Sequence, residues 1–150
     1  MKLLFVCLGN ICRSPLAEGI AKKFAKEHHL KLTIDSAGTS SWHQGEHPCQ
    51  NSITIARKHH VEIADQHSRP VSKEDIDNFD YIIAMDKQNK KDLQTQGFKD
   101  VLLIGDFGGY QGQDVPDPYY FNGLEGFEKV YTMLEVAIED FMSKNISGMH

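Results

Sequence analysis

Cys7-Leu8-Gly9-Asn10-Ile11-Cys12-Arg13-Ser14-Pro15 follows the apolar run Leu3-Leu4-Phe5-Val6 and leads into a helical pattern, and this order of strand, loop and helix sets the architecture. Five residues separate Cys7 from Arg13. That length lets the loop curl with its amide hydrogens inward, Gly9 relaxes the sterics, and Pro15 suits the first turn of a helix. Inward amides at a helix N-terminus make an oxyanion site. A thiol beneath it would feel the helix dipole and the Arg13 guanidinium, both of which favour thiolate over thiol. The stretch therefore predicts Cys7 as an activated nucleophile facing an anion loop of Leu8, Gly9, Asn10, Ile11, Cys12, Arg13 and Ser14. A plainer reading makes Cys7 a buried cysteine ending a core strand and Arg13 an ordinary first-turn residue.

The chain has 150 residues, a one-domain length that spans residues 1–150 and needs no covalent staple. Three cysteines form an odd set without a framework spacing, and no apolar stretch approaches the ~18 residues of a membrane span. These features predict a cytoplasmic protein with reduced thiols and no membrane partner. A net charge of −5 argues against generic nucleic-acid binding.

Beyond the loop, Leu16, Ile20, Ala21 and Phe24 recur at helical spacing as far as His28-His29. Leu32-Thr33-Ile34 reads as a short strand, and the small polar segment Asp35 to Trp42 as a functional loop. A second helix is expected from Pro48 to His60, and a short one from Lys73 to Phe79 with Ser72 as its N-cap. Tyr81 to Met85 has the character of a buried strand, Asp86 caps a polar helix to about Gln96, and Val101 to Ile104 repeats the strand pattern. Gly105 through Asn122 is a long irregular loop, and Leu124 to Met142 is a closing amphipathic helix. Strands alternating with helices imply an α/β fold: one three-layer domain with a four-stranded, parallel, doubly wound sheet. Ligands of such sheets sit at the carboxyl ends of the strands, where Cys7 would lie.

A thiolate attacking phosphorus needs an acid for the departing oxygen. Asp117 is the candidate, followed by Pro118 and the aromatic pair Tyr119-Tyr120, while Asp114 and Asp106 are rivals in the same loop. Trp42, the single tryptophan, is either a partly buried loop anchor or the wall of a ligand cleft. The paired histidines His28-His29 and His59-His60 point about 100° apart on a helix and read as solvated faces, so no metal site is expected.

The chain resembles the low-molecular-weight protein tyrosine phosphatases. The blocks that carry the resemblance are Val6 to Pro15, Asp35-Ser36-Ala37-Gly38-Thr39, Phe79-Asp80-Tyr81-Ile82 with Met85-Asp86, and Asp117-Pro118-Tyr119-Tyr120. The resemblance implies Cys7 as nucleophile, Arg13 as phosphate clamp and Asp117 as general acid and later base, with no cofactor and no metal. It further implies that Asn10 holds the loop through neighbours such as Ser36, that Ser14 stabilises the leaving thiolate, and that His67 supports the loop. Trp42, Tyr119 and Tyr120 would wall a phosphotyrosine cleft. The partners implied are a phosphotyrosine-bearing protein as substrate and inorganic phosphate as product. A thiol-dependent arsenate reductase of the same fold would need two further cysteines after the third strand, and Met85 to Gly97 has none. A cysteine phosphocarrier would need neither Arg13 nor Asp117, and a silent phosphotyrosine-binding module would not need all three residues. Cys12, five positions after Cys7, is either a packing residue or the resolving partner of an oxidised Cys7.

Overall fold

Leu3, Leu4, Phe5 and Val6 are fully buried in the computed structural model, which describes residues 1–118 and 123–146. They belong to β1 (Lys2–Cys7), which is flanked on both edges by parallel partners. The strand order is β2 (Thr33–Gly38), β1, β3 (Tyr81–Ala84), β4 (Val101–Leu103). Alternate side chains of a strand face opposite sides of its sheet. Leu3, Phe5 and Cys7 accordingly join a core with α1 (Arg13–Glu27), α2 (Gln50–Lys58) and α5 (Gly123–Asn145). Leu4 and Val6 face the smaller core of Leu93 from α4 (Lys87–Thr95), Phe98 and Val101, with Val71 and Phe79 beside the short helix α3 (Glu74–Asn78). This is the three-layer, four-stranded parallel arrangement that the alternation of strands and helices predicts.

Two local expectations are corrected. The segment Asp35 to Gly38 is not a loop but the last four of the six residues of β2, in register with β1 from Lys2 opposite Thr33 to Cys7 opposite Gly38. Its polar and small residues carry little strand propensity, and the parallel ladder supplied by β1 overrides it. Ser72 does not cap α3: the helix starts at Glu74, and Asp75 instead accepts the Ser72 N–H at 2.8 Å while its carboxylate holds Arg69. The Asp86 cap is as expected, its carboxylate accepting the Asn89 N–H at 2.7 Å.

After β4 the chain makes one 3-10 turn at Ile104–Asp106 and enters the irregular segment that carries Asp117. This segment is pinned where it returns to the sheet. Gly105 accepts the Gly112 N–H at 2.8 Å, and buried Val115 donates its N–H to the Met85 carbonyl at 2.9 Å. A Cβ on Gly105 would overlap the carbonyl oxygen of Gln113, a backbone atom with no freedom to move aside. Gly105→Ala is therefore expected to lower stability by about 3 kcal/mol, the upper end of overpacking costs. Urea unfolding checks this, and a loss below about 1 kcal/mol would show that the close approach relaxes.

Candidate active site

The site is built on outward-turned carbonyls. Between Cys7 and Arg13, five carbonyl oxygens accept hydrogen bonds from other segments: Cys7 from Thr39 N–H, Leu8 from Ser40 N–H, Gly9 from Ser68 Oγ, Ile11 from Cys49 N–H and Cys12 from Ser52 Oγ. Peptide planes with oxygens outward present their N–H groups inward, and at the start of α1 these converge on the space above Cys7. Asn10 is the residue that closes the curl, with φ of 56°. Asparagine tolerates that left-handed conformation better than most residues.

The Asn10 side chain is buried, with both amide hydrogens and its carbonyl oxygen engaged. Its Nδ2 donates to Ser14 Oγ and to Ser36 Oγ, each at 2.9 Å, and its Oδ1 accepts the Arg69 N–H at 3.0 Å. Cys7 Sγ lies 3.0 Å from Ser14 Oγ and receives the Asn10 N–H at 3.2 Å. Arg13 reaches out of the first turn of α1 and is held from two directions. Its Nη1 donates to Asp86 Oδ2 at 2.7 Å and to the Val115 carbonyl at 2.9 Å. Burial pulls the Arg13 pKa down, but the charges of Cys7, Asp86 and Asp117 outweigh it and raise it above its ordinary value.

Cys7, Arg13, Trp42, His43, Asp117 and Pro118 line one cleft of about 250 Å³ together with the loop residues Leu8, Gly9, Ile11 and Cys12. Among the three candidate acids, only Asp117 stands there. Asp114 accepts the Lys87 N–H at 2.9 Å and faces a larger groove of about 820 Å³ that holds no thiol, and Asp106 lines neither. Trp42 is 76% exposed at the cleft mouth, which removes the reading of a partly buried anchor. Tyr119 and Tyr120 lie outside the described residues.

His67 is exposed, its ring centroid 4.4 Å from that of His47 and tilted by 46°, while its neighbours Ser68 and Arg69 bond the loop and Gln66 donates to the Pro15 carbonyl at 3.2 Å. None of Cys7, Cys12 and Cys49 is joined in a disulfide. Among the described residues, no three His, Cys, Asp or Glu side chains converge to hold a metal ion.

Two functional residues escaped the sequence reading. Asp86 was legible as a helix cap but not as the partner of Arg13, seventy-three positions away. Glu18 is only 4% exposed, and its Oε1 accepts the Ser36 hydroxyl at 2.7 Å. The one signal for Glu18 was its spacing, four positions after Ser14 and four before Lys22 on a single helix face.

Fold and site together define a doubly wound α/β protein with a strand-end cysteine beneath a Cys-x5-Arg anion loop. Residues 2–148 match the family model described as low molecular weight phosphotyrosine protein phosphatase, and the chain belongs to that family. The low molecular weight protein-tyrosine-phosphatase YfkJ of Bacillus subtilis is 39% identical over 95% of this chain and 94% of its own. Among solved structures, the protein tyrosine phosphatase of Entamoeba histolytica superposes with a TM-score of 0.88 at 43% identity, covering 96% of each chain. A Drosophila arginine phosphatase superposes with a TM-score of 0.91 at 32% identity, covering 98% of this chain and 99% of that one.

Burial raises the Glu18 pKa above the usual carboxylate range, and the hydrogen bonds from Lys22 and Ser36 only partly oppose it. An acid whose pKa is raised by folding contributes stability fully below its unfolded value and loses it as pH climbs through the folded value. The stability of wild type relative to Glu18→Gln should therefore decline between about pH 4 and about pH 7.5, either side of the ordinary glutamate pKa. Paired urea titrations at the two pH values measure this, and a relative stability that rises with pH would contradict it.

Proposed function

We propose that this protein hydrolyses phosphotyrosine and related aryl phosphate monoesters through a phosphocysteine intermediate, releasing inorganic phosphate. The observation that carries the reading is that a thiol, an arginine and a carboxylate share one cleft under inward-turned amides. Cys7 attacks phosphorus in line while the loop amides and the Arg13 guanidinium hold the three equatorial oxygens. Asp117 protonates the phenol as it leaves, and the same group, now a carboxylate, activates the water that hydrolyses the phosphocysteine. Ser14 then donates to the departing sulfur. No step draws on a metal or cofactor.

Trp42 at the mouth offers an indole face to the substrate ring, and Tyr119 and Tyr120 are assigned the same role from sequence alone. Phosphotyrosine-bearing proteins are the partners this reading requires, and reduced thiols favour a cytoplasmic setting. No helix among the described residues is long and apolar enough to cross a membrane. The arsenate reductase reading is disfavoured because α4 (Lys87–Thr95) carries no cysteine. A phosphocarrier or a binding module would leave the placement of Asp117 beside Cys7 without purpose. The arginine phosphatase among the structural relatives makes phosphoarginine the second substrate to test.

Turnover of an aryl phosphate, measured beside phosphoarginine, checks the assignment. Cys7→Ser is expected to lower kcat by about 10⁴-fold or more while vanadate still binds. Asp117→Asn should lose about 10²-fold or more on phenol esters and much less on esters whose leaving group departs without a proton. If Cys7→Ser keeps above about 1% of turnover, Cys7 is not the nucleophile. If Asp114→Asn shows the leaving-group dependence instead, Asp117 is not the acid.

Cys12 lines the same cleft as Cys7. Peroxide converts a thiolate to a sulfenic acid, and a neighbouring thiol can displace water from it to form a disulfide that reductant reverses. Wild type should thus recover activity with reductant after peroxide, yielding a peptide that links Cys7 to Cys12, and Cys12→Ser should recover far less. Equal recovery of the two proteins would leave Cys12 as packing.

A further inference from the structure

We infer that Glu18, a buried carboxylate outside the cleft, is a positioning residue that sets the direction of the hydrogen-bond chain ending on Cys7 Sγ. The inference rests on Cys7 being the nucleophile.

The direction follows from counting hydrogens. A carboxylate only accepts. Glu18 Oε2 takes the Lys22 Nζ at 2.6 Å and Oε1 takes the Ser36 hydroxyl hydrogen at 2.7 Å. With its only hydrogen committed, Ser36 Oγ can do no more than accept from Asn10 Nδ2. The second Nδ2 hydrogen goes to Ser14 Oγ, and the opposite end of the amide is occupied by the Arg69 N–H. Ser14 Oγ accepts from Asn10 and lies 3.0 Å from Cys7 Sγ, which leaves its own hydrogen available to the sulfur. A thiolate has no hydrogen to give, so it takes this one together with the Asn10 N–H. Hydrogen bonds to the charged form favour that form.

A neutral acid at position 18 permits the opposite polarity. Its own proton would turn to Ser36, the Ser36 hydrogen would meet Asn10 Nδ2, and two donors would face each other across 2.9 Å. Rotating the amide relieves that clash but sets Nδ2 against the Arg69 N–H and turns Oδ1 toward Ser14, drawing the Ser14 hydrogen away from sulfur. Ionised Glu18 and the Arg69 N–H thus hold Asn10 in the single orientation that leaves a hydrogen on Cys7. Burial, and Asp35 on β2, itself gripped by Arg69 at 3.0 Å, oppose ionisation of Glu18, whereas Lys22 on its own helix and the Ser36 hydroxyl stabilise the ionised form on which this polarity depends.

The readout is the rate of Cys7 alkylation by iodoacetamide, followed on the Cys7 peptide by mass spectrometry at about pH 6 and about pH 9, either side of an ordinary thiol. Glu18→Gln can present an N–H to Ser36. It is expected to alkylate about tenfold more slowly than wild type at the lower pH, the effect of one unit in thiol acidity, with little change at the higher pH. With an aryl phosphate, kcat should fall while KM stays within about twofold, as for an interaction gained along the reaction path. Ser36→Ala cuts the same chain at one hydroxyl and should have the same effect, and adding Glu18→Gln to it should change nothing further.

An unchanged low-pH rate in folded Glu18→Gln, or losses that multiply in the double variant, would overturn the inference. If Glu18→Gln does not fold, Ser36→Ala decides: a tenfold loss at low pH supports the chain and an unchanged rate overturns it. Turnover that survives Cys7→Ser would refute the nucleophile reading. Turnover that depends on Cys7, with unaltered alkylation in Glu18→Gln, would overturn this inference alone.

Discussion

An anion loop that turns its amide hydrogens inward must turn its carbonyl oxygens outward, and each of those oxygens then needs a donor from elsewhere in the protein. Much of the structure around Cys7 supplies those donors. The residues just after β2 give Thr39 and Ser40, the segment between α2 and α3 gives Ser68, and the start of α2 gives Cys49 and Ser52. Gly38 has no Cβ because one would lie 2.8 Å from the Leu8 carbonyl oxygen. The close pairing of β1 with β2 and the cradle for an anion are in this sense one construction.

Electrostatics tie the remaining parts to that cradle. Arg13 is a cation with only 11% of its side chain exposed, a placement that is costly unless the charge is paired and fully hydrogen-bonded. Asp86 provides the pairing with one carboxylate oxygen while the other caps α4, so the helix start and the clamp are fixed by one side chain. The Val115 carbonyl accepts from the same Arg13 nitrogen, and the Val115 N–H donates to the carbonyl of Met85, the residue after β3. Asp117 stands two residues beyond that anchor. The irregular segment after β4 thus reaches the cleft as a strap bonded to the sheet and to the clamp.

The order of strand, loop and helix around Cys7 was legible because it is local: a continuous apolar run of strand length, a curl of fixed length and a proline at a helix start are all encoded within fifteen residues. The four strands and their parallel pairing were legible for the same reason, as was the Asp86 cap. The extent of β2 was not, since Asp35 and Ser36 become strand residues only when β1 offers its ladder. Ser72 reads as a cap by composition, but Asp75 was already committed to Arg69, a partner chosen by packing. The resemblance placed loop support on His67; the contacts across to Gly9 and Asn10 made by its neighbours Ser68 and Arg69 were not legible.

By itself the sequence determined the nucleophile candidate, the loop, the parallel α/β architecture and a short set of possible acids, because each rests on residue type and spacing within one segment. The resemblance had already singled out Asp117 among those acids; only the tertiary structure showed that Asp117 lines the cleft where Asp114 and Asp106 do not, that Asp86 holds Arg13, and that Glu18 stands behind Ser36 and Asn10. Those choices depend on which side chains meet across seventy-three or one hundred and two residues, as for Arg13 with Asp86 and Val115. Hydrogen bonds and ion pairs act over a few ångströms in space, a distance that separation along the chain does not encode.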